Sequence, residues 1–251
     1  MRAGGAAGGA AAAARRRGAA LAAGLAAALA VAPAGGSAAE GPLAGLPPAV
    51  GWFGAGTRPA AGQGSCTATL VAPDLILTAG HCVPGGPDAA RAIGGYTFLA
   101  GWAGGRAAAG ARAVAVIRPA PDPDRDGTLG GDVVLVRLNR QVAAAEAAPL
   151  PLAQGEPAPG SAVTTLGYPI AAPAAPVRQA DCPVRQAAGG VLALGCPSEG
   201  GFSGGPVLVP EAGGWRLAGV MVARGRGNGA AGTYAVTVPA DLRRRIAPGG
   251  P

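Results

Sequence analysis

Two short segments of the 251-residue chain hold residue types that together support nucleophilic catalysis. Residues 77 to 83 read LTAGHCV and contain the only histidine, His81, directly before Cys82. Residues 200 to 206 read GGFSGGP, and small residues flank Ser203 as in a tight turn that exposes a serine hydroxyl. A serine hydroxyl becomes a strong nucleophile when a neutral imidazole takes its proton and a carboxylate orients that imidazole.

The order of these residues along the chain separates the enzyme classes that share the G-x-S-x-G pattern. In an α/β-hydrolase the histidine follows the serine, and no histidine follows Ser203. The subtilisin order needs an acid well before the histidine, and Asp74 precedes His81 by only seven residues. The order His, Asp, Ser remains, and Asp132 is its candidate acid because it opens the apolar run DVVLVRL. The alternatives are a turn cap for Asp132 and a structural turn at Ser203.

Three segments resemble the trypsin/chymotrypsin family of serine endopeptidases. They read CTATLVAPDLILTAGHCV, GGDVVLVRL and GGFSGGP, and with the intervening strands they cover most of residues 50 to 240. DLILTAGHCV, GYP at 167 to 169 and a cysteine pair before the serine resemble the bacterial, glutamyl endopeptidase-like branch. The resemblance implies an all-β fold of two packed six-stranded antiparallel β-barrels. It also implies peptide-bond hydrolysis through an acyl-enzyme by His81, Asp132 and Ser203.

The same resemblance assigns further roles. It implies that the backbone N–H groups of Gly201 and Ser203 form an oxyanion hole. It places Ser198 and Arg224 at the substrate cleft, near Arg226, although exposed arginines in a glycine-rich loop are also commonly solvated. A monomer acting on a protein or peptide substrate is expected, with no metal or organic cofactor. Glutamate-specific relatives use a second histidine in the specificity pocket, and this chain has only His81. The preference for a substrate side chain therefore stays open.

Phe202 departs from the animal trypsins, which carry an aspartate before the nucleophile. That aspartate pairs with the ammonium group freed by zymogen cleavage, and a phenyl ring cannot replace it. We therefore expect the ring to pack beneath the loop, so that burial fixes Gly201 and Ser203. The alternative is a secreted, catalytically weak or inactive protein of the same fold that binds a protein partner.

Apolar segments with β character recur between glycine and proline residues and must position these side chains. They read CTATLVA, YTFLAGW, RAVAVIR, DVVLVRL, AVTTLGY, VLALG, GPVLVP, WRLAGVMVA and TYAVTVP. Regular short strands separated by turn signals favour an all-β barrel or sandwich. Residues 148 to 160 are the best linker candidate, and residues 239 to 247 read as a short C-terminal helix.

The N-terminal residues have the order of a secretory signal peptide. Arg15, Arg16 and Arg17 precede a 17-residue apolar stretch and then small residues, and cleavage is expected after Ala39, with Ala34 as second choice. The arginine run also permits twin-arginine export. The domain prediction is a signal peptide at 1 to 39, a barrel at 40 to 150 with His81 and Asp132, and a barrel with Ser203, helix and tail at 151 to 251.

Much of the formal charge of +7 belongs to the predicted signal peptide. The remaining sixteen arginines face thirteen carboxylates, and no basic run interleaved with aromatic residues is left for nucleic-acid binding. The mature protein is therefore expected to have no nucleic-acid or membrane partner. The predicted signal peptide indicates that it is secreted or periplasmic.

Four cysteines in an oxidising compartment predict two disulfides. Three pairings are possible, and proximity in the chain favours Cys66 with Cys82 and Cys182 with Cys196. A zinc site is disfavoured, because the chain has no C-x-x-C and a single histidine. Residues 122 to 127, DPDRDG, open like a calcium loop, but the twelfth position is Val133 rather than glutamate, which favours a solvated acidic turn.

Overall fold

Two closed antiparallel β-barrels of six strands each make up most of the structure. The computed structural model describes residues 45–121, 128–225 and 232–247, which all belong to one compact unit, Glu40–Pro251. The predicted signal peptide, the acidic loop 122–127 and Arg226 lie outside the described residues. The predicted fold class is confirmed.

The first barrel closes in the order β1-β2-β3-β6-β5-β4. Its strands are β1 (Val50–Ala55), β2 (Ser65–Ala72), β3 (Leu75–Ala79), β4 (Tyr96–Ala100), β5 (Ala109–Ile117) and β6 (Val133–Leu138). Strand β5 shows the period of two: Ala109, Ala111 and Ala113 are buried, whereas Gly110 and Arg112 are exposed. Small alanine side chains therefore face the interior, which larger residues of the other strands fill.

The second barrel closes in the order β10-β11-β12-β9-β8-β7. Its strands are β7 (Ala162–Gly167), β8 (Val177–Ala188), β9 (Val191–Leu194), β10 (Pro206–Glu211), β11 (Gly214–Gly225) and β12 (Gly232–Val236). Strand β8 has only Cys182 and Val184 fully buried. Most of this long strand therefore faces solvent.

The helices of the described residues are short. They are α1 (Ala89–Ala92) and α2 (Ala240–Ile246), and 3₁₀ turns span Gly80–Cys82, Ile93–Gly95 and Leu129–Gly131. The predicted C-terminal helix is confirmed: Pro239 precedes α2, and three arginines occupy its last turn, where positive charge complements the helix dipole. None of the helices in the described ranges has the length and apolar character needed to span a bilayer.

Nine of the twelve strands in the described ranges coincide with segments predicted from the sequence, whereas β1, β3 and β8 were missed. Strand β1, VGWFGA, contains two glycines and lacks an alternating pattern. Strand β3, LILTA, is buried at every position and therefore also shows no alternation. Strand β8 is mostly exposed and reads as a polar connection. These three strands form because their neighbours in each barrel supply hydrogen-bond partners.

The predicted linker, residues 148 to 160, is hydrogen-bonded to both barrels. The N–H of Leu150 donates to the carbonyl of Leu70 on β2 at 2.8 Å. Leu152 forms a parallel bridge with Leu217 on β11, and the N–H of Ala153 donates to the Leu217 carbonyl at 2.9 Å. The linker is therefore hydrogen-bonded to one strand of each barrel.

Disulfides join Cys66 to Cys82 and Cys182 to Cys196, the pairs that proximity in the chain favours. The first ties β2 to the 3₁₀ turn that contains His81, and the second ties β8 to the segment after β9. The bridged cysteines are 16 and 14 residues apart, so each bridge closes a short loop.

Removing one bridge should weaken the fold without abolishing it. Replacing both Cys182 and Cys196 by alanine should lower the free energy of unfolding by about 3 kcal/mol, the chain-entropy value for a loop of this length. Urea denaturation of oxidised wild-type protein and of the double variant measures this difference, with fully reduced wild type as the reference for losing both bridges. An unchanged urea midpoint would contradict the expectation.

Candidate active site

Pairing of β3 with β6 brings His81 next to Asp132. In this register Ala79, the last residue of β3, lies opposite Val133, the first residue of β6. His81 follows Ala79 by two residues and Asp132 directly precedes Val133, so the two side chains project from the same end of the barrel. The strands that bury DVVLVRL thus also place its leading carboxylate.

Both oxygens of the Asp132 carboxylate accept hydrogen bonds from His81. The backbone N–H of His81 donates to Oδ1 at 2.8 Å, and ring atom Nδ1 lies 2.6 Å from Oδ2. An ionised carboxylate can only accept, so the proton of the neutral imidazole sits on Nδ1 and the lone pair on Nε2. The side chains of His81 and Asp132 are 47% and 24% exposed, so the imidazole is only partly buried.

The Asp132 carboxylate also sets the protonation of His81. The hydrogen bond from the ring to Asp132 raises the pKa of His81 above its ordinary value of 6.5, partial burial of the imidazole opposes the rise, and the carboxylate's charge adds to it. Asp74, the acid of the rejected subtilisin order, pairs instead with Arg137 at 2.6 Å.

The turn that carries Ser203 lies between β9 and β10 of the second barrel and rests on the first barrel. The N–H of Thr67 on β2 donates to the Ser203 carbonyl at 2.9 Å. Gly204 has φ +81°, and a Cβ there would lie 2.0 Å from the Thr67 carbonyl and 2.1 Å from Thr78 Oγ1. Thr78 precedes His81 by three residues, so this contact brings the serine turn beside the histidine segment. Among the described residues, no hydrogen bond joins the Ser203 hydroxyl to His81.

The peptide groups before Ser203 leave two N–H groups available. The Gly200 carbonyl accepts from the N–H of Ile170 at 2.8 Å, and the Phe202 carbonyl accepts from the N–H of Gly205 at 2.9 Å. In a trans peptide the N–H points away from the carbonyl of the same plane, so the N–H groups of Gly201 and Ser203 point away from these partners. Neither donates to another residue in the described part of the chain.

Gly201 has a conformation and a contact that exclude a side chain. Its φ is +97°, and a Cβ would lie 2.0 Å from the Tyr168 carbonyl. A larger residue would therefore displace either this N–H or the segment after β7.

Phe202 is buried, with 2% of its surface exposed, as expected from the sequence. It belongs to the apolar core of the second barrel, together with Cys182, Val207 and Met221. A Cβ on Gly167 would lie 2.4 Å from the phenyl ring, so the ring packs directly against the end of β7.

The predicted substrate-binding residues lie on two neighbouring segments of the second barrel. Arg224 is exposed near the end of β11 and pairs with Thr233 on β12. The hydroxyl of Thr233 donates to the carbonyl of Cys196 at 2.9 Å, which fixes the chain two residues before the half-buried Ser198. Thr233 thus connects the strand of Arg224 to the segment of Ser198.

A cluster of Cys66, His81 and Cys82 has three potential metal-ligand atoms within 4.8 Å of one another. Both sulfur atoms belong to the disulfide, so they are not available as thiolate ligands. The cluster is therefore the junction of the disulfide with the histidine turn.

Two residues around the serine turn were missed by the sequence analysis. Thr67 and Thr78 are fully buried in apolar strands. The hydroxyl of Thr78 donates to the Thr67 carbonyl, and that of Thr67 donates to the Gly201 carbonyl, each at 2.8 Å. A threonine in a strand is ordinary, so the only available signal was a polar residue at a position predicted to be buried.

Comparison with known proteins agrees with this arrangement. The family model described as Trypsin matches residues 52–245, more than three quarters of the chain, and includes the segments of His81, Asp132 and Ser203. No curated protein matches the sequence. From the extent of the family match and the two six-stranded barrels, we conclude that the chain belongs to the trypsin family.

Proposed function

We propose that the protein is a secreted serine endopeptidase in which His81, Asp132 and Ser203 act as a catalytic triad. The observation that carries the proposal is the double hydrogen bond from His81 to the Asp132 carboxylate, at 2.8 and 2.6 Å. This contact holds the ring in the tautomer that leaves Nε2 free to accept a proton. Family membership supplies the reaction class, hydrolysis of peptide bonds.

In the proposed acylation step, Ser203 Oγ attacks the carbonyl carbon of the substrate while His81 Nε2 accepts the hydroxyl proton. The N–H groups of Gly201 and Ser203 donate to the oxyanion of the tetrahedral intermediate. The C–N bond then breaks, and His81 gives its proton to the leaving amine. In the deacylation step a water oxygen attacks the ester carbon while His81 Nε2 accepts the water proton. The C–O bond to Ser203 then breaks, and His81 returns the proton to Ser203 Oγ as the acid product leaves.

The substrate is a protein or peptide bound along the second barrel. Ser198 and Arg224 are proposed to contact it, because Thr233 connects their segments and Arg224 is exposed.

We further propose that residues 1 to 39 direct export and that the mature protein works outside the cytoplasm as a monomer without a cofactor. We also propose that it belongs to the glutamyl endopeptidase-like branch. Two disulfides are typical of secreted proteins.

Replacement of the nucleophile or the base tests the proposed function directly. Ser203→Ala and His81→Ala should each lower kcat for amide hydrolysis about a millionfold, and the double variant should be scarcely worse, because the residues act as a unit. Wild-type protein should react covalently with an organophosphonate probe, detected by intact mass, and Ser203→Ala should not. Inert, folded wild-type protein would favour the alternative of an inactive, partner-binding protein.

Removal of the Asp132 charge should change both rate and pH dependence. Asp132→Asn should fold normally and lose about four orders of magnitude in kcat, because the amide no longer enforces the productive tautomer. Neutral His81 is the active form and Asp132 raises its pKa, so wild-type activity should rise with pH through that raised pKa. In Asp132→Asn the pKa should fall, and the residual activity should rise at lower pH. A pH profile of kcat/KM measures both, and an unmoved acidic limb would contradict the pairing.

Burial of Phe202 predicts activation without an N-terminal ammonium. Acetylating the α-amine of the mature chain, or adding a few residues before Glu40, should leave kcat within a few-fold of the unmodified enzyme. Phe202→Ala should be more harmful, since loss of a buried phenylalanine costs about 3 to 5 kcal/mol of stability and loosens the serine turn. Steady-state kinetics and thermal denaturation separate the two effects. A collapse of kcat on acetylation, with Phe202→Ala nearly silent, would point to exposed Glu199 as the partner of the new N-terminus.

A further inference from the structure

Every carbonyl from Gly200 to Ser203 accepts a hydrogen bond. The partners of Gly200 and Phe202 are the N–H groups of Ile170 and Gly205, both in the second barrel. The Gly201 and Ser203 carbonyls instead accept from the first barrel, and both donors belong to Thr67: its hydroxyl at 2.8 Å and its N–H at 2.9 Å. One residue therefore fixes alternate peptide planes of the serine turn.

The Thr67 hydroxyl connects three segments of the chain. It donates to Gly201 and accepts from the N–H of Tyr168 at 2.9 Å. Tyr168 also places its carbonyl against Gly201, where a Cβ would lie 2.0 Å away. The hydroxyl thus ties both the turn and the segment beneath it to β2. Thr67 is 0% exposed, so no solvent competes for these bonds.

The carbonyl that Thr67 holds belongs to the peptide plane between the two proposed oxyanion donors. The orientation of the Gly201–Phe202 plane is set by ψ of Gly201 and φ of Phe202, and a net change in these two angles changes the relative direction of the flanking N–H groups. Glycine resists such rotation least of all residues. The N–H of Phe202 belongs to the same peptide plane and donates to the Glu199 carbonyl at 3.1 Å. This bond is longer than the 2.8 Å bond from the Thr67 hydroxyl to the Gly201 carbonyl.

We propose that Thr67 is a positioning residue for the oxyanion hole, whose hydroxyl holds the Gly201–Phe202 peptide plane so that the N–H groups of Gly201 and Ser203 converge. This inference rests on the proposed function. It assigns to a neutral hydrogen bond from the first barrel the ordering that an ammonium–carboxylate pair provides in animal trypsins. Thr78, whose hydroxyl donates to the Thr67 carbonyl at 2.8 Å, supports Thr67 from β3.

The chain supplies a matched control for the test. Thr69 lies two residues along the same strand, is also 0% exposed, and its hydroxyl has no hydrogen-bond partner among the described residues. Thr67→Val and Thr69→Val make the same chemical change, but only the first removes hydrogen bonds to the turn. Thr67→Ser keeps the hydroxyl and loses the methyl group. If Thr67→Val does not fold, Thr67→Ala and Thr67→Ser differ in the hydroxyl alone and give the same comparison.

Two measurements distinguish positioning from a structural role. Thr67→Val should lower kcat and the rate of organophosphonate labelling about tenfold to a hundredfold, less than the loss on deleting an oxyanion donor outright. KM should change by no more than a few-fold. Thr69→Val should keep wild-type kcat, and Thr67→Ser should restore kcat to within a few-fold even if its melting temperature falls. Equal kcat values for Thr67→Val and Thr69→Val, or a change in KM alone, would overturn the proposal.

Amide hydrogen exchange gives a readout that does not depend on activity. The N–H groups of Gly204 and Gly205 are bonded at 2.7 and 2.9 Å and report on the order of the turn. Their exchange should be about tenfold faster in Thr67→Val than in Thr69→Val, and unchanged protection would refute the role of the hydroxyl. If wild-type protein is inert while this difference is present, the proposed function fails but the ordering of the turn by Thr67 stands.

Discussion

The serine turn belongs to one barrel but is held by a strand of the other. Thr67 on β2 bonds two of its carbonyls, and Gly204 leaves room for the Thr67 carbonyl and the Thr78 hydroxyl. Such contacts require the barrels to dock accurately. An apolar cluster across the junction, which includes Trp52 and Tyr168, supports this docking. Burial raises the pKa of Tyr168 well above its ordinary value, so the phenol stays protonated and donates to the Trp102 carbonyl at 2.9 Å.

Uncharged contacts order this turn. Phe202 lies in the core of the second barrel, where an apolar ring stabilises the turn through burial. The Thr67 hydroxyl provides direction, which burial alone lacks, because a hydrogen bond requires alignment. Neither group titrates near neutral pH. The turn therefore keeps its geometry while His81 changes its charge, whereas a turn ordered by an ammonium group would also respond to the protonation of that group.

The pairing of His81 with Asp132 stabilises the fold in one pH range and supports the proposed function in another. Because the folded-state pKa of His81 is raised, this residue contributes stability that is fully present below the unfolded value of about 6.5. That contribution is lost as the pH rises through the raised pKa. The proposed catalysis needs the neutral ring, and therefore the pH range in which this stabilisation has been lost. Nearly half of the side chain is exposed, so solvent screens the effect.

The sequence by itself determined the all-β class and the candidate triad. Chain order identified His81, Asp132 and Ser203, because a residue's chemistry and its place along the chain need no coordinates. Alternating or apolar β-rich runs identified nine strands. Strands β1 and β3 carry no alternating pattern and β8 reads as a polar connection, so these three form through barrel closure. Only the tertiary structure decided that Thr67 and Thr78 hold the serine turn. The bond from Thr67 to Gly201 spans 134 residues, and nothing local in the sequence specifies which atoms two barrels bring together when they dock.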